Sequence, residues 1–230
     1  MKISIVIPVY NEEETVAKIL EKVCVVKLQW EKEIIVINDG SKDKTEKKIK
    51  SFKNKIVYLK QKNQGKGAAV MAGISRATGD YVVVQDADLE YDPEDIERMI
   101  KTVNGNDVVY GSRLTAPPVL FGKNRTPILL HYFGNKFLSL VTSLLYGTWL
   151  TDMETCYKLF PKKAVDKINI NAQGFEFEPE ITAKLLKAGY KIKEIPITTK
   201  PRGYEEGKKL DTWRDGWRAL KTLLKYRFYD

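Results

Sequence analysis

The strongest constraint on the fold of this chain is a regular alternation of strand-like and helix-like segments through its first half. Strand-like runs of β-branched and aliphatic residues lie at 3–9, 33–37, 56–59, 81–85 and 107–110. Helical patterns separate these runs with little spacer, and the fourth run is almost continuously apolar, as expected of a strand covered on both faces. This order predicts a doubly wound, mainly parallel α/β sheet with helices on both faces.

The helix starts and the second half of the chain carry further signals. Asn11 followed by Glu14 predicts a capping-box start for the first helix, and Asp92 before Pro93 predicts the start of another. The second half changes character. It predicts helices at 127–146, 178–187 and 210–228 and strands at 155–160 and 190–198.

Polar residues follow four of the predicted strands, and they mark the expected ligand site. These residues lie at 10–12, 39–41, 86–90 and 111–113. In a doubly wound sheet, ligands bind beyond the carboxyl ends of the strands. Asp86 and Asp88 concentrate negative charge at one strand end, which favours a bound Mg²⁺ or Mn²⁺ completed by substrate phosphates over the alternative of a solvated loop.

The net charge indicates which partners the chain can bind, and the cysteines indicate the cellular compartment. The chain has 39 Lys and Arg against 30 Asp and Glu, a net charge of +9, which suits anionic partners. Cys24 and Cys156 are far apart in the sequence and predict free thiols in a reducing, cytoplasmic compartment. The longest uncharged run, at 137–151, has 15 residues. It is short of the roughly 20 that span a bilayer, so we expect a soluble chain without a signal peptide.

Five motifs together resemble the family 2 glycosyltransferases of the GT-A fold, and within them the polyprenyl-phosphate (dolichol-phosphate) mannose and glucose synthases. They are SIVIPVYNE at 4–12, INDGSKD at 37–43, GKG at 65–67, DADLE at 86–90 and GSR at 111–113. Looser similarity continues through TDMET at 151–155 and the segment at 202–209. The resemblance implies a single GT-A domain over residues 1–230. Residues 1–113 form its nucleotide-sugar-binding half, and residues 114–230 form its acceptor half, which ends in an amphipathic helix.

The resemblance also implies a role for individual residues. The nucleotide sugar is expected to contact Pro8, Tyr10, Glu12, Asp39, Lys66, Asp86, Arg202 and Lys209. The metal is expected on Asp86, Asp88 and Glu90, although close relatives often have Gln at the last position. The acceptor phosphate is expected on Arg113 and Arg125, and the catalytic set is Asp88, Arg113 and Asp152. Lys208 stands before Lys209 where the family often has Ser, which puts donor or acceptor preference in doubt.

The function implied is metal-dependent, inverting transfer of a hexose from GDP-mannose or UDP-glucose to a polyprenyl phosphate. A phosphate acceptor is already an anionic nucleophile, so the reaction requires alignment and charge neutralisation rather than a strong base. The alternative is a family 2 enzyme acting on a saccharide or protein hydroxyl, with Asp152 as the base. Two further alternatives are a nucleotide-sugar-binding protein without activity and a nucleic-acid binder. The paired carboxylates argue against both, and we expect no nucleic acid as partner.

A lipid acceptor predicts contact with a membrane surface, directly or through a membrane partner protein. The helix at 128–145 has an apolar face, and the last helix places Trp213 and Trp217 beside a stripe of basic residues. Tryptophan next to cations is typical of interfacial helices. The alternative is that both apolar faces pack on the sheet and the tryptophans belong to the core. We expect a peripheral protein at the cytoplasmic face of the membrane.

Overall fold

The computed structural model describes residues 1–118, 129–200 and 211–229. In these ranges the strands are β1 (Lys2–Val9), β2 (Glu31–Asn38), β3 (Val57–Lys60), β4 (Tyr81–Val84), β5 (Val108–Ser112), β6 (Lys158–Pro161) and β7 (Ile192–Pro196). The helices are α1 (Val16–Val25), α2 (Thr45–Lys50), α3 (Lys66–Arg76), α4 (Glu94–Thr102), α5 (Leu129–Tyr146), α6 (Lys162–Asp166), α7 (Phe177–Lys187) and α8 (Thr212–Phe228).

The strands form one seven-stranded sheet in the order β3-β2-β1-β4-β6-β5-β7. Strand β6 runs antiparallel to both of its neighbours, β4 and β5, and every other neighbouring pair is parallel. The predicted mainly parallel α/β fold is therefore confirmed. Because β6 lies between β4 and β5, the second half of the chain contributes a strand to the middle of the sheet.

Burial along β1 shows that helices and loops cover both faces of the sheet. Ile5 and Val6 are consecutive residues with opposite orientations, and both are completely buried. Helix α3 covers one face so closely that a Cβ added to Gly73 would lie 2.4 Å from Val6 Cγ1. A larger residue at this position of α3 would therefore force the helix away from the sheet.

The capping box predicted at Asn11 is wrong. Asn11 has a φ of +49°, and its side-chain Oδ1 accepts a hydrogen bond of 2.8 Å from the backbone N–H of Lys42. Its own N–H donates to Ser41 Oγ over 3.0 Å. Asn11 therefore joins the loops after β1 and β2, and α1 begins only at Val16.

Helices α5 and α8 pack against each other through a small apolar cluster that includes Leu138, Ala219 and Leu223. The buried residues of α5 include Ser139, Thr142 and Ser143, and α8 buries Ala219 and Leu223. The predicted apolar face of α5 is exposed: Leu129, Phe133, Phe137, Leu140 and Leu144. Trp213 and Trp217 of α8 are also exposed. The alternative in which these faces and tryptophans are packed is thus wrong.

None of the helices in the described ranges is both long and apolar enough to cross a membrane.

Candidate active site

One cavity of about 430 Å³ opens at the carboxyl ends of β1, β2, β4 and β5. The predicted site residues that line it are Pro8, Tyr10, Glu12, Asp39, Lys66, Asp86, Asp88, Glu90 and Arg113. The fold brings these residues together because parallel strands end at the same edge of the sheet. Arg125, Arg202 and Lys209 lie outside the described residues.

Asp39 fixes the loop that leads into α3. Its buried carboxylate accepts hydrogen bonds from Gln61 Nε2 at 2.7 Å, from Gln64 N at 3.0 Å and from Gly65 N at 2.9 Å. Gly65 has a φ of +100°, which favours glycine. Asp39 thereby holds the start of α3, and with it Lys66, at the wall of the cavity.

Lys66 and Asp86 form a pair in the wall of the cavity. The Lys66 ammonium lies 2.9 Å from Asp86 Oδ1 and 3.0 Å from Oδ2. Burial is the largest influence on Asp86 and opposes its ionisation. The charge of Lys66, hydrogen bonds from Cys156 and Lys66, and the charge of Arg113 together hold the pKa of Asp86 below its usual range. Burial likewise opposes the charge of Lys66 most strongly, but Asp86, with Cys156 and Glu178, raises the pKa of Lys66 well above its ordinary value. Asp86 is therefore ionised and paired with the Lys66 ammonium.

The carboxylates at the end of β4 suit a divalent metal as a partial ligand set. Asp86, Asp88 and Glu90 line the same cavity, and Asp88 Oδ1 also accepts a 3.1 Å hydrogen bond from Glu90 N. Within the described ranges, no three Asp, Glu, His or Cys residues are grouped closely enough to hold a metal. Mg²⁺ is commonly bound by one or two carboxylates plus substrate phosphates, and this donor set fits that case.

Arg113 is held by a buried carboxylate beneath the cavity. Arg113 Nε and Nη2 donate to the two oxygens of Asp152, each over 2.7 Å, and the backbone N–H of Arg113 donates to Oδ2 over 2.9 Å. Asp152 has no exposed surface and does not line the cavity, whereas Arg113 lines it. Nη1 of Arg113 donates to the hydroxyl of Tyr91 over 3.0 Å. The position of Asp152 therefore differs from the one expected of a base at the reacting centre.

Two further carboxylates line the cavity, and the sequence reasoning gave neither a role. Glu178, at the start of α7, accepts a 2.6 Å hydrogen bond from the ammonium of Lys158, a lysine with no exposed surface. Burial raises the pKa of Glu154 to about 7, with a further contribution from the charge of Glu178. The available signal was Lys158, a charge at the start of the otherwise apolar strand β6, whereas Glu178 gave none because acidic residues are common in the first turn of a helix. A charge in such a strand indicates a buried pair.

Comparison with known proteins places the chain in a family. The sequence pattern of "Glycosyl transferase family 2" matches residues 4–168. The chain belongs to glycosyl transferase family 2. Its relatives include the low-salt glycan biosynthesis hexosyltransferase Agl6 of Haloferax volcanii, 30% identical over 96% of this chain. Another is a dolichol-phosphate mannosyltransferase of Pyrococcus furiosus, 31% identical over 98% of this chain.

The chain spans 53% of the Haloferax relative and 64% of the Pyrococcus relative. Among solved structures, glucosyl-3-phosphoglycerate synthase from Mycobacterium tuberculosis, in complex with Mn²⁺, UDP and phosphoglyceric acid, has a TM-score of 0.75. It is 17% identical, and the alignment covers 99% of this chain and 78% of that one. This likeness confirms the GT-A fold predicted for this member of glycosyl transferase family 2.

Proposed function

We propose that this chain transfers a hexose, mannose or glucose, from a nucleotide-diphosphate sugar to a polyprenyl phosphate, with inversion at the anomeric carbon. The observation that carries the proposal is Arg113, fixed by Asp152 at the wall of a cavity that also contains Asp86 and Asp88. A guanidinium held in this way can bind a phosphate through two parallel hydrogen bonds. The Pyrococcus relative is named for the same kind of acceptor.

The proposed reaction is a single displacement. An oxygen of the acceptor phosphate attacks the anomeric carbon of the sugar, and the bond from that carbon to the nucleoside diphosphate breaks. The bonding electrons leave with the diphosphate, so no proton has to be removed from the acceptor. Arg113 would orient the acceptor phosphate. A divalent metal on Asp86 and Asp88, with Glu90 nearby, would supply positive charge for the leaving diphosphate.

The nucleotide portion of the donor would occupy the cavity wall formed by the ends of β1 and β2. Pro8, Tyr10 and Glu12 are proposed to contact the base and ribose, and Asp39 is proposed to do so from the neighbouring strand end. Lys66 lies at the other side, where its ammonium would meet the diphosphate. Arg125, Arg202 and Lys209 remain proposed contacts to acceptor phosphate and donor.

The geometry around Asp152 argues against the alternative, a hydroxyl acceptor activated by this residue. A base must reach the proton it removes. Both oxygens of Asp152 accept hydrogen bonds from Arg113, and no part of Asp152 is exposed to the cavity. We therefore assign Asp152 the positioning of Arg113 rather than proton transfer.

We propose in addition that α5 and α8 lie on the surface of an anionic membrane, at its cytoplasmic face. The large apolar side chains that these helices expose are Leu129, Leu130, Phe133, Phe137, Leu140, Leu144, Trp213, Trp217, Leu224 and Phe228. Lys221 lies beside them, with its ammonium 5.6 Å from the ring centre of Trp217. Apolar area bordered by cations is the composition of helices that bind in the headgroup region.

Flotation with vesicles tests the membrane proposal. Each basic residue near an anionic leaflet contributes about 1 kcal/mol. The double variant Lys221→Gln and Lys225→Gln should therefore bind vesicles of phosphatidylcholine and phosphatidylserine markedly more weakly than the wild type. Lys53→Gln with Lys55→Gln, an equal loss of charge on an exposed loop, should bind as the wild type does. Equal binding by both double variants, or no salt dependence, would contradict the proposed surface.

Arg113→Lys tests the proposed acceptor site. The variant keeps a positive charge beside Asp152 but loses the bidentate geometry, because an ammonium is not a planar fork. We expect the KM for polyprenyl phosphate to rise by about tenfold, the worth of one charged hydrogen bond. The Kd for the nucleotide sugar should stay within about twofold, and Arg76→Ala, at an exposed position on α3, should change neither. A loss of donor affinity with unchanged acceptor KM would refute the assignment.

A further inference from the structure

Two carboxylate oxygens in the cavity have no hydrogen-bond partner among the described residues. They are Oε1 of Glu154 and Oε1 of Glu178, and both are fully buried as atoms. The Lys66 ammonium lies 3.7 Å from Glu178 Oε1, within ion-pair range but beyond hydrogen-bond distance. Both residues line the cavity that contains the proposed donor and acceptor sites. Buried polar atoms in native proteins are almost always hydrogen-bonded, so two unsatisfied oxygens in one cavity require an explanation.

The neighbouring contacts hold these oxygens in place. The other oxygen of Glu178 accepts a 2.6 Å hydrogen bond from Lys158. The same ammonium donates to the backbone oxygens of Met153, at 2.9 Å, and Thr155, which flank Glu154 in the chain. Lys158 therefore joins the start of α7 to the 153–155 loop. The side chain of Glu178 is 5% exposed, so it has little freedom to turn its second oxygen toward water.

The negative charge of Glu154 and Glu178 determines which chemical group of a ligand can lie against them. A phosphate placed against Glu154 and Glu178 would meet two acidic side chains, a repulsion that is strong in a buried site. The phosphates have a better location near Lys66 and Arg113. A neutral group that carries hydrogen-bond donors satisfies the free oxygens without bringing negative charge. In a nucleotide-diphosphate sugar, the hexose is the part rich in hydroxyl donors that lies beyond the diphosphate.

We propose that Glu154 and Glu178 form the subsite that binds the hydroxyl groups of the transferred hexose. This inference rests on the proposed function and adds the recognition of the sugar to it. Each free Oε1 would accept a hydrogen bond from one hydroxyl, so that the hexose lies between Lys66 on the diphosphate side and Arg113 on the acceptor side.

The protonation behaviour of Glu154 agrees with a hydroxyl-binding role. Burial and the charge of Glu178 raise the pKa of Glu154 to about 7, against the opposing charges of Lys158 and Arg113. Asp152 adds to the rise. Near neutral pH, Glu154 is thus present in both forms. The ionised carboxylate accepts charge-assisted hydrogen bonds from sugar hydroxyls, and these are stronger than hydrogen bonds between neutral groups.

Calorimetric titration of Glu154→Gln separates sugar binding from nucleotide binding. The protein with Mg²⁺ is titrated with GDP-mannose and UDP-glucose, and separately with GDP and UDP. For the nucleotide sugar that the wild type binds, we expect the Kd to rise by about tenfold, because glutamine keeps an acceptor oxygen but loses the charge that strengthens its hydrogen bond. The Kd for the matching nucleoside diphosphate should change by less than about twofold, because the diphosphate does not reach Glu154.

The other variants control for structure. Glu178→Gln should also weaken binding of the nucleotide sugar. Because it removes the charge that pairs with Lys158 and Lys66, it requires a check of folding by circular dichroism and is not expected to be selective for the sugar. Glu154→Gln has no ion pair to lose, and it keeps the test valid if Glu178→Gln unfolds. Glu21→Gln removes an exposed carboxylate of α1 and should leave both dissociation constants unchanged.

The outcomes distinguish this inference from the proposed function. If Glu154→Gln binds the nucleotide sugar as tightly as the wild type, or loses the nucleoside diphosphate equally, the sugar subsite is refuted while donor binding stands. The same holds if Glu154→Gln keeps full donor affinity and loses turnover alone, because Glu154 would then act on the acceptor. If the wild type binds no nucleotide or nucleotide sugar, the proposed function fails, and the subsite fails with it.

Discussion

Asp152→Asn is the substitution whose effect the structure defines most sharply. Asp152 is completely buried, and its carboxylate accepts three hydrogen bonds from Arg113, two from the guanidinium and one from the backbone N–H. Asparagine has nearly the same shape but carries no charge and retains one acceptor oxygen. The variant therefore leaves the Arg113 guanidinium without its countercharge and with one side-chain hydrogen bond missing.

The magnitude follows from the cost of breaking a buried pair. Removing one partner of a buried ion pair lowers the free energy of unfolding by about 3 to 5 kcal/mol. The lower end applies to Asp152→Asn because asparagine keeps part of the hydrogen bonding. A loss of about 3 kcal/mol corresponds to a fall in Tm of roughly 6 to 12 °C for a chain of this size. Arg113 would also lose its fixed orientation, so the KM for polyprenyl phosphate should rise while the Kd for the donor stays nearly constant.

Urea unfolding followed by circular dichroism, together with initial rates at varied acceptor, measures both effects. Asp166→Asn is the matched control, because it removes the same carboxylate from an exposed ion pair with Lys162. Such pairs contribute less than about 1 kcal/mol. The reasoning is refuted if Asp152→Asn is no less stable than Asp166→Asn. A changed pH dependence of turnover with unchanged stability and acceptor KM would instead identify Asp152 as a base.

Three further predictions concern the metal, the loss of stability at acid pH and the start of α3. Asp88→Asn, or excess EDTA with the wild type, should abolish most turnover without lowering Tm, and full activity in either case would exclude a required metal. Burial opposes ionisation of Glu33, but hydroxyl and backbone hydrogen bonds lower its pKa to about 2. Glu33→Gln should therefore cost about 1 to 3 kcal/mol at pH 7. Urea titrations should show the full difference in the free energy of unfolding between wild type and variant above pH 4.5. The difference should shrink as the pH falls toward 2 and Glu33 becomes protonated in the folded protein. Gly67→Ala places a Cβ 2.6 Å from Ala172 O and should lower Tm and weaken donor binding, whereas Gly134→Ala, with open space around its Cβ, should do neither.

The sheet and its functional edge could be predicted from the sequence because both depend on local patterns. The apolar runs that became β1, β2 and β4 are each followed by polar residues, and parallel strands end at one edge. Antiparallel pairing of β6 between β4 and β5 could not be predicted, since it is decided by long-range pairing and not by the composition of residues 158–161.

The orientation of α5 was left open between a membrane-facing and a packed apolar face. Apolar residues spaced by three and four correctly predicted a helix with one apolar face, and periodicity cannot say which way that face points. The structure instead buries the side of α5 that carries Leu138, Ser139 and Ser143. Ser139 and Ser143 accept hydrogen bonds from the backbone N–H groups of Met153 and Leu150. Ser143 Oγ accepts from Leu150 N over 3.0 Å, for example. Those tertiary contacts decide the orientation, and they are invisible in the sequence.

Within the candidate site, the sequence identified residues whose chemistry is evident from their position after a strand. It missed Glu154 and Glu178, because their significance depends on Lys158, which approaches from a third element of the chain. The pairing of Asp152 with Arg113 was equally hidden, since 39 residues separate them. Motif positions thus predict which groups meet the ligand, and the partners that orient those groups appear only in three dimensions.

The comparison of two acceptors that differ in a single group tests the central proposal most directly. The protein is incubated with Mg²⁺, labelled GDP-mannose or UDP-glucose, and either a polyprenyl phosphate or the unphosphorylated polyprenol of the same chain length in detergent. We predict that label enters the lipid fraction only with the phosphate, because Arg113 has a phosphate to bind and Asp152, the base of the alternative, is paired with Arg113 and does not line the cavity. Transfer to the polyprenol at an equal or higher rate would contradict the account.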